Sequence, residues 1–173
     1  MKYNVFMLCP PWKKYRLNKK FKVILMDNVP PKIWRARRAF DFLKNCLTEL
    51  SDNEHAVYAW VTAKFTDDCR EYIEGLGYNY VTTLFWKRPK WKPGSFCEVF
   101  EYLMVFEKKG YKPSVKNYPD PLEAPFNGNV KTRGEKPDDA YALIEQLHPT
   151  GAKIQLYGSC RRPGWDVFHR NYT

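Results

Sequence analysis

The chain has 173 residues, 44% of them hydrophobic, enough to build one packed core, and it is read as a single domain over residues 1–173. Lysine and arginine total 29 against 19 acids, a formal net charge of +10 that favours a polyanionic partner, with nucleic acid the first candidate. No apolar segment reaches the roughly 20 residues that span a bilayer, so no membrane helix is expected.

Residues 3–9 form a short apolar run stopped by Pro10 and Pro11, which reads as a buried strand closed by a rigid turn. A second apolar run, 21–26, leads into Asp27, Asn28 and another pair of prolines, and is either a strand or an ordered loop. From 33 to 50 the positions Ala36, Ala39, Phe40, Leu43, Leu47 and Leu50 recur at helical spacing. Residues 55–63 read as a strand, 67–76 as a helix ended by Gly77, and 80–87 as another strand. Residues 100–107 follow turn signals at Pro93 and Gly94, so a hairpin with the preceding strand is expected.

Residues 110–134 are rich in Pro, Gly and Asn without an apolar period, and are too long for a plain connection. A helix should then start at Pro137 and run to Leu147, with Asp138 and Asp139 placed to suit its dipole. The last clear strand is expected at 152–157, ended by Gly158. This alternation of strand and helix points to an α/β fold with a mostly parallel sheet and one β-hairpin.

The cysteines, Cys9, Cys46, Cys69, Cys97 and Cys160, are odd in number and lack paired spacing. Neither a disulfide framework nor a zinc site is indicated, and His55, His148 and His169 have no metal-like spacing, so no metal is expected. A reduced, soluble, intracellular protein follows from that pattern.

The basic residues concentrate in Lys13, Lys14, Arg16, Lys19, Lys20 and Lys22, in Arg35, Arg37 and Arg38, and in Lys87, Arg88, Lys90 and Lys92. A charge run alone is most often a solvated face. Here Trp12, Tyr15, Trp34, Trp86 and Trp91 interleave with the charges, and a base can stack on such a ring while lysines hold its phosphate.

The segment Cys9-Pro10-Pro11-Trp12 holds an aromatic ring at the carboxyl end of a strand, where open α/β sheets bind ligands. Further along stand Trp86-Lys87, Glu101, Lys136-Pro137-Asp138, and a strand Gln155-Leu156-Tyr157 followed by Arg161, Arg162 and Gly164-Trp165-Asp166. In that order these elements resemble the family of the mRNA N6-adenosine methyltransferase catalytic subunit and its bacterial and phage adenine-N6 DNA methyltransferase relatives. The resemblance covers nearly the whole chain.

It implies a Rossmann-like fold in permuted order, the catalytic strand preceding the cofactor strand, and S-adenosyl-L-methionine as methyl donor. It also implies transfer to adenine N6 in nucleic acid, with DNA favoured over RNA. Cys9, Pro10, Pro11 and Trp12 would form the catalytic corner, with the prolines and the tryptophan placing the base. Lys136 would meet the cofactor's carboxylate, Tyr157 its adenine, and Gln155, Gly158 and Asn171 would complete its site. Lys14, Arg16, Lys87, Glu101 and Arg161 would hold the substrate.

Three places depart from the family pattern. Cys9 stands where the family has Asp, and a thiol is a weak acceptor. Gln155 replaces the usual Glu, and after Trp165-Asp166 the chain reads Val167, Phe168, His169, Arg170, Asn171 in place of Gly-Asn-Glu or Gly-Asn-Gln. These changes support the alternative of an inactive, methyltransferase-like subunit that binds nucleic acid, either as a homo-oligomer or paired with an active subunit. The cytoplasm of a bacterium or a phage-infected cell is the expected location.

Overall fold

The structure is a computed structural model that describes residues 2–10, 31–88, 100–111, 126, 128, 130, 135–158 and 161–168, leaving aside the side chains of 31–39. Six strands form one sheet: β1 (Tyr3–Leu8), β2 (Ser51–Val61), β3 (Tyr78–Lys87), β4 (Phe100–Lys108), β5 (Lys153–Leu156) and β6 (Trp165–Phe168). Their spatial order is β3-β4-β2-β1-β5-β6. The pairs β1–β2, β1–β5 and β5–β6 are parallel, whereas β2–β4 and β3–β4 are antiparallel. The sheet is therefore mixed: a parallel half carries the expected hairpin on one flank.

Three helices cover it: α1 (Pro31–Leu50), α2 (Thr66–Gly75) and α3 (Asp138–Leu147). Helix α1 starts with proline at its first position, where a missing N–H costs nothing, two residues before the expected start. Its Phe40, Leu43, Cys46 and Leu47 are buried, the one-stripe pattern of a helix lying on a sheet. In α2 the stripe is Cys69 and Ile73, and Gly77 at φ +90° closes the helix where a side chain would be strained. Helix α3 buries Ala140, Tyr141, Ile144 and Leu147 and carries Asp138 and Asp139 in its first turn. Pro137 lies one residue before the helix, extended at ψ 144°, and does not form its first residue.

Two cores lie on opposite faces. Phe6, Leu8, Val57, Ala59, Met104 and Phe106 pack against α1 and α2. Val5, Met7, Tyr58, Trp60, Leu103 and Val105 face α3 together with Trp86 and Phe126. Alternation along each strand assigns these two sets, and each fully buried large side chain contributes on the order of 1.5–3 kcal/mol.

Several boundaries move relative to the sequence reading. Strand β2 starts at Ser51, before the expected residue 55, because Ser51 pairs with Tyr3 although Asp52, Asn53 and Glu54 are exposed and polar. It ends at Val61, and Ala63–Phe65 form a short 3-10 turn. Residues 152–157 do not hold the last strand: β6 follows, its four residues WDVF too few to show a period. The run 21–26 and most of 110–134 lie outside the described residues.

Candidate functional site

Strand β1 leads through α1 to β2 on one side, while β5 arrives on its other side, so neighbouring connections leave the β1–β5 pair in opposite directions. Such a switch point opens a crevice at the carboxyl ends of the strands. The two ends are held together by the Cys9 amide, which donates to the Leu156 carbonyl at 3.0 Å. Here β1 delivers Cys9 and Pro10, and β5 delivers Gln155, Tyr157 and Gly158.

Cys9 is buried, and the Gln155 amide Nε2 donates to its Sγ at 3.4 Å. Burial pushes the thiol up to about 11, a rise opposed by the Lys136 charge and the Gln155 hydrogen bond and reinforced by Glu101. At neutral pH the residue is a neutral thiol, and it shares one side-chain cluster with Trp60, over whose ring the Lys136 ammonium lies. Gln155 is 1% exposed and its Oε1 has no hydrogen-bond partner among the described residues. A Cβ at position 158 would stand 2.6 Å from that oxygen, so glycine there leaves room for the amide.

Glu101 opens into the same region from β4. Lys136 Nζ donates to its Oε2, and Arg88 Nη1 stands 3.1 Å from its Oε1. The Lys136 side chain is only 9% exposed, contrary to a solvated first-turn lysine, and its ammonium lies 5.0 Å from the centre of the Trp60 ring. Burying a carboxylate is costly unless charges and hydrogen bonds offset it, and here two cations do so. Two positive groups against one carboxylate leave the cluster with a formal charge of +1.

The aromatic floor of the site is built by packing. Trp60 meets Trp86 edge to face at 6.2 Å and Phe126 at 5.9 Å. Trp86 donates through Nε1 to the Gly128 carbonyl at 3.1 Å, so the segment before α3 is tied to the hairpin. At the other end of that segment Asp138 pairs with Arg162 at 2.7 Å, the Arg162 guanidinium lies 4.1 Å from the centre of the Tyr141 ring, and Trp165 Nε1 donates to Glu145 at 2.8 Å. Lys136 is thus positioned between two anchored flanks.

The remaining expected residues fall into three groups. Tyr157 reaches the crevice through its backbone, but its ring lies on the α1 side, 5.2 Å from Phe42, which in turn packs on Phe168. Its φ of 61° is unusual for a residue with a side chain and costs on the order of 1–3 kcal/mol. Lys87 is exposed at the end of β3. Arg161 is exposed and lines an open groove of about 980 Å³ with Tyr3, Ile154 and Asp166, which none of Cys9, Gln155, Lys136 and Glu101 lines. Pro11, Trp12, Lys14, Arg16 and Asn171 lie outside the described residues.

Arg88 and Trp60 escaped the sequence reading as members of this site. Arg88 sits in a basic run, and nothing in the run separates a partner of Glu101 from an exposed residue such as Lys87. The two described histidines take structural places. His55 meets the Asp52 carbonyl at 2.6 Å and Tyr78 Oη at 2.5 Å, while His148 bridges Tyr58 Oη at 2.7 Å and Tyr111 Oη at 2.8 Å.

An open α/β sheet with a polar, cation-rich crevice at its switch point defines a ligand-binding Rossmann-like protein. The MT-A70 family model matches residues 3–170, and the chain belongs to the MT-A70 family. Among solved structures it is similar to the crystal structure of the M1.HpyAVI–SAM complex. The TM-score is 0.58 at 14% identity, over 90% of this chain and 70% of that one, a likeness of fold. No curated protein matches the sequence.

Proposed function

We propose that this chain is an S-adenosylmethionine-dependent methyltransferase that acts on adenine N6 in nucleic acid, with DNA favoured over RNA. The observation that carries the reading is the buried Lys136–Glu101–Arg88 cluster, with its surplus positive charge, beside Cys9 and Gln155 at the β1–β5 switch point of an MT-A70 family chain.

The residues fit such a cofactor. Lys136 is the cation for its carboxylate, and Gln155 Oε1 is a buried acceptor left over for an ammonium or hydroxyl group. Gly158 keeps the space beside that amide clear of a side chain. When bound, S-adenosylmethionine supplies the methyl group as a sulfonium that departs as a neutral thioether.

The protein's own task is to orient the amino group of adenine, whose lone pair is delocalised into the ring, and to stabilise the positive charge that develops on it. Pro10 fixes the corner, and the aromatic floor of Trp60, Trp86 and Phe126 keeps water from the buried side. The exposed Lys87 and the formal charge of +10 suit a phosphate backbone.

A neutral thiol at Cys9 is the observation that favours the second reading, an inactive nucleic-acid-binding subunit. Calorimetric titration of wild type and Lys136→Met with S-adenosylmethionine, beside methyl incorporation into adenine-containing DNA and RNA, separates the two. The methyltransferase reading expects wild-type binding, about 30-fold or more weaker binding by Lys136→Met, and incorporation by wild type, since truncating one member of a buried charged contact costs about 2–5 kcal/mol. Binding without incorporation selects the inactive subunit, and no cofactor binding at all rejects the methyltransferase reading.

A further inference from the structure

An amino group that must lose a proton needs a base beside it, and neither Cys9 nor Gln155, the described side chains at the β1 corner, is one. Cys9 is a neutral thiol, and the Gln155 group turned towards it is an N–H donor. Glu101 is the only buried carboxylate among the described residues, and its partner Lys136 lies over the ring of Trp60, a member of the same side-chain cluster as Cys9. Its two oxygens are held differently. Arg88 reaches Oε1 from the end of its own hairpin, whereas Lys136 reaches Oε2 from the segment before α3.

Resting on the methyltransferase reading above, we propose that Glu101 is the acceptor for the adenine amino group, and that Lys136 covers its Oε2 until the cofactor's carboxylate draws the ammonium away. Arg88 then keeps the buried carboxylate paired, so freeing Oε2 does not strand an uncompensated charge. Cofactor binding thereby prepares the base site, and the cofactor is the first ligand to bind. Glu101 Oε2 accepts one N–H of the amino group and takes that proton as the nitrogen gains its methyl. The product amine is left neutral, and the carboxyl group returns the proton to water.

The test compares wild type, Cys9→Asp, Glu101→Gln and the double variant Cys9→Asp/Glu101→Gln, each checked for a folded circular dichroism spectrum. Oligonucleotides carrying either adenine or purine, which lacks the amino group, are bound in the presence of S-adenosylhomocysteine. Wild type should prefer adenine by about 10-fold or more, since a site built to hydrogen-bond a group rejects the analogue that lacks it. Glu101→Gln should lose most of that preference while binding S-adenosylmethionine at least as tightly as wild type, because Lys136 is no longer shared with a carboxylate. Its methyl transfer should fall by about 100-fold, the effect of one electrostatic contact in a transition state.

Restoring a carboxylate at the corner in the double variant should return both the preference and part of the transfer. A purely structural role for Glu101 predicts the same fold gain from Cys9→Asp in the wild-type and the Glu101→Gln backgrounds, whereas the proposal expects the larger gain in the latter. Retained preference and transfer in Glu101→Gln, or no recovery in the double variant, overturns the proposal. Should Glu101→Gln fail to fold, Arg88→Lys takes its place, with a several-fold smaller adenine preference expected and an unchanged one contrary to the proposal. Wild type that binds S-adenosylmethionine without discriminating adenine from purine rejects the role of Glu101 alone. Wild type that does not bind S-adenosylmethionine rejects the methyltransferase reading and this proposal together.

Discussion

Under α1 and α2 the sheet presents Phe6, Leu8, Val57, Ala59, Met104 and Phe106 to Phe40, Leu43, Leu47 and Ile73, and the buried His55 on that face is satisfied by a backbone carbonyl and Tyr78. Under α3 the same strands present Cys9, Glu101, Lys153 and Gln155 among Tyr58, Trp60 and Ile144, with His148 and the side chain of Lys136 beside them. Burying apolar surface is favourable without conditions, whereas every buried polar group must find a partner. The first face can serve only stability, and the second gives up some of it to hold charges where a ligand can meet them. The difference locates the chemistry before any ligand is considered.

The sharpest break in that comparison is Leu43→Ala on the apolar face. Leu43 is fully buried, so the substitution should destabilise the fold by about 2–5 kcal/mol in urea unfolding, through lost transfer energy and the cavity left behind. Ligand affinity per folded molecule should stay at the wild-type value, and a fall in affinity would show that the two faces are not separable.

Acid sharpens the contrast from the other side. Burial, with the nearby Lys153 charge, lowers His148 from 6.5 to about 4, so the folded state resists a proton that the unfolded chain accepts. Stability is then fully present above about pH 6.5 and falls as the pH drops towards 4, by on the order of 3 kcal/mol. His55, lowered by burial, adds in the same direction. Denaturant unfolding at pH 4.5 and 7 should show this slope, and His148→Gln should flatten it. An unchanged slope in that variant would assign the effect elsewhere.

The smallest effect belongs to the rim of the polar face. Asp138 is 83% exposed in its pair with Arg162, and solvent screening limits such pairs to about 1 kcal/mol or less. Asp138→Asn should therefore lower the melting temperature by no more than a few degrees. A larger loss would mean that the pair holds the α3 start, and Lys136 with it, more firmly than an exposed contact can.

Much of this architecture is legible in the residues. Helical spacing marked Phe40, Leu43 and Leu47 and a short continuous apolar run marked Tyr3–Leu8, because both patterns reflect the nearest layer of packing. Strand β6 was not legible. Four residues carry no period, and β6 is a strand because β5 offers it a hydrogen-bonding edge. The start of β2 was missed for the same reason, since Asp52, Asn53 and Glu54 extend it only because Tyr3 pairs with Ser51.

Chain order and residue type alone determined the class of fold, the corner at Cys9 and Pro10, and the presence of Lys136, Glu101 and Gln155 among the candidate residues. Tertiary structure decided what those residues do to one another. Arg88 from the end of β3, Glu101 from β4 and Lys136 from the segment before α3 meet because the antiparallel hairpin brings Trp86 opposite Glu101, while the Gly128 carbonyl ties the later segment to the same tryptophan. Charge in a sequence is local, but its partner and its burial are set by contacts between distant segments. The buried thiol of Cys9, the buried amide oxygen of Gln155 that finds no partner among the described residues and the shared carboxylate of Glu101 therefore exist only in the folded chain.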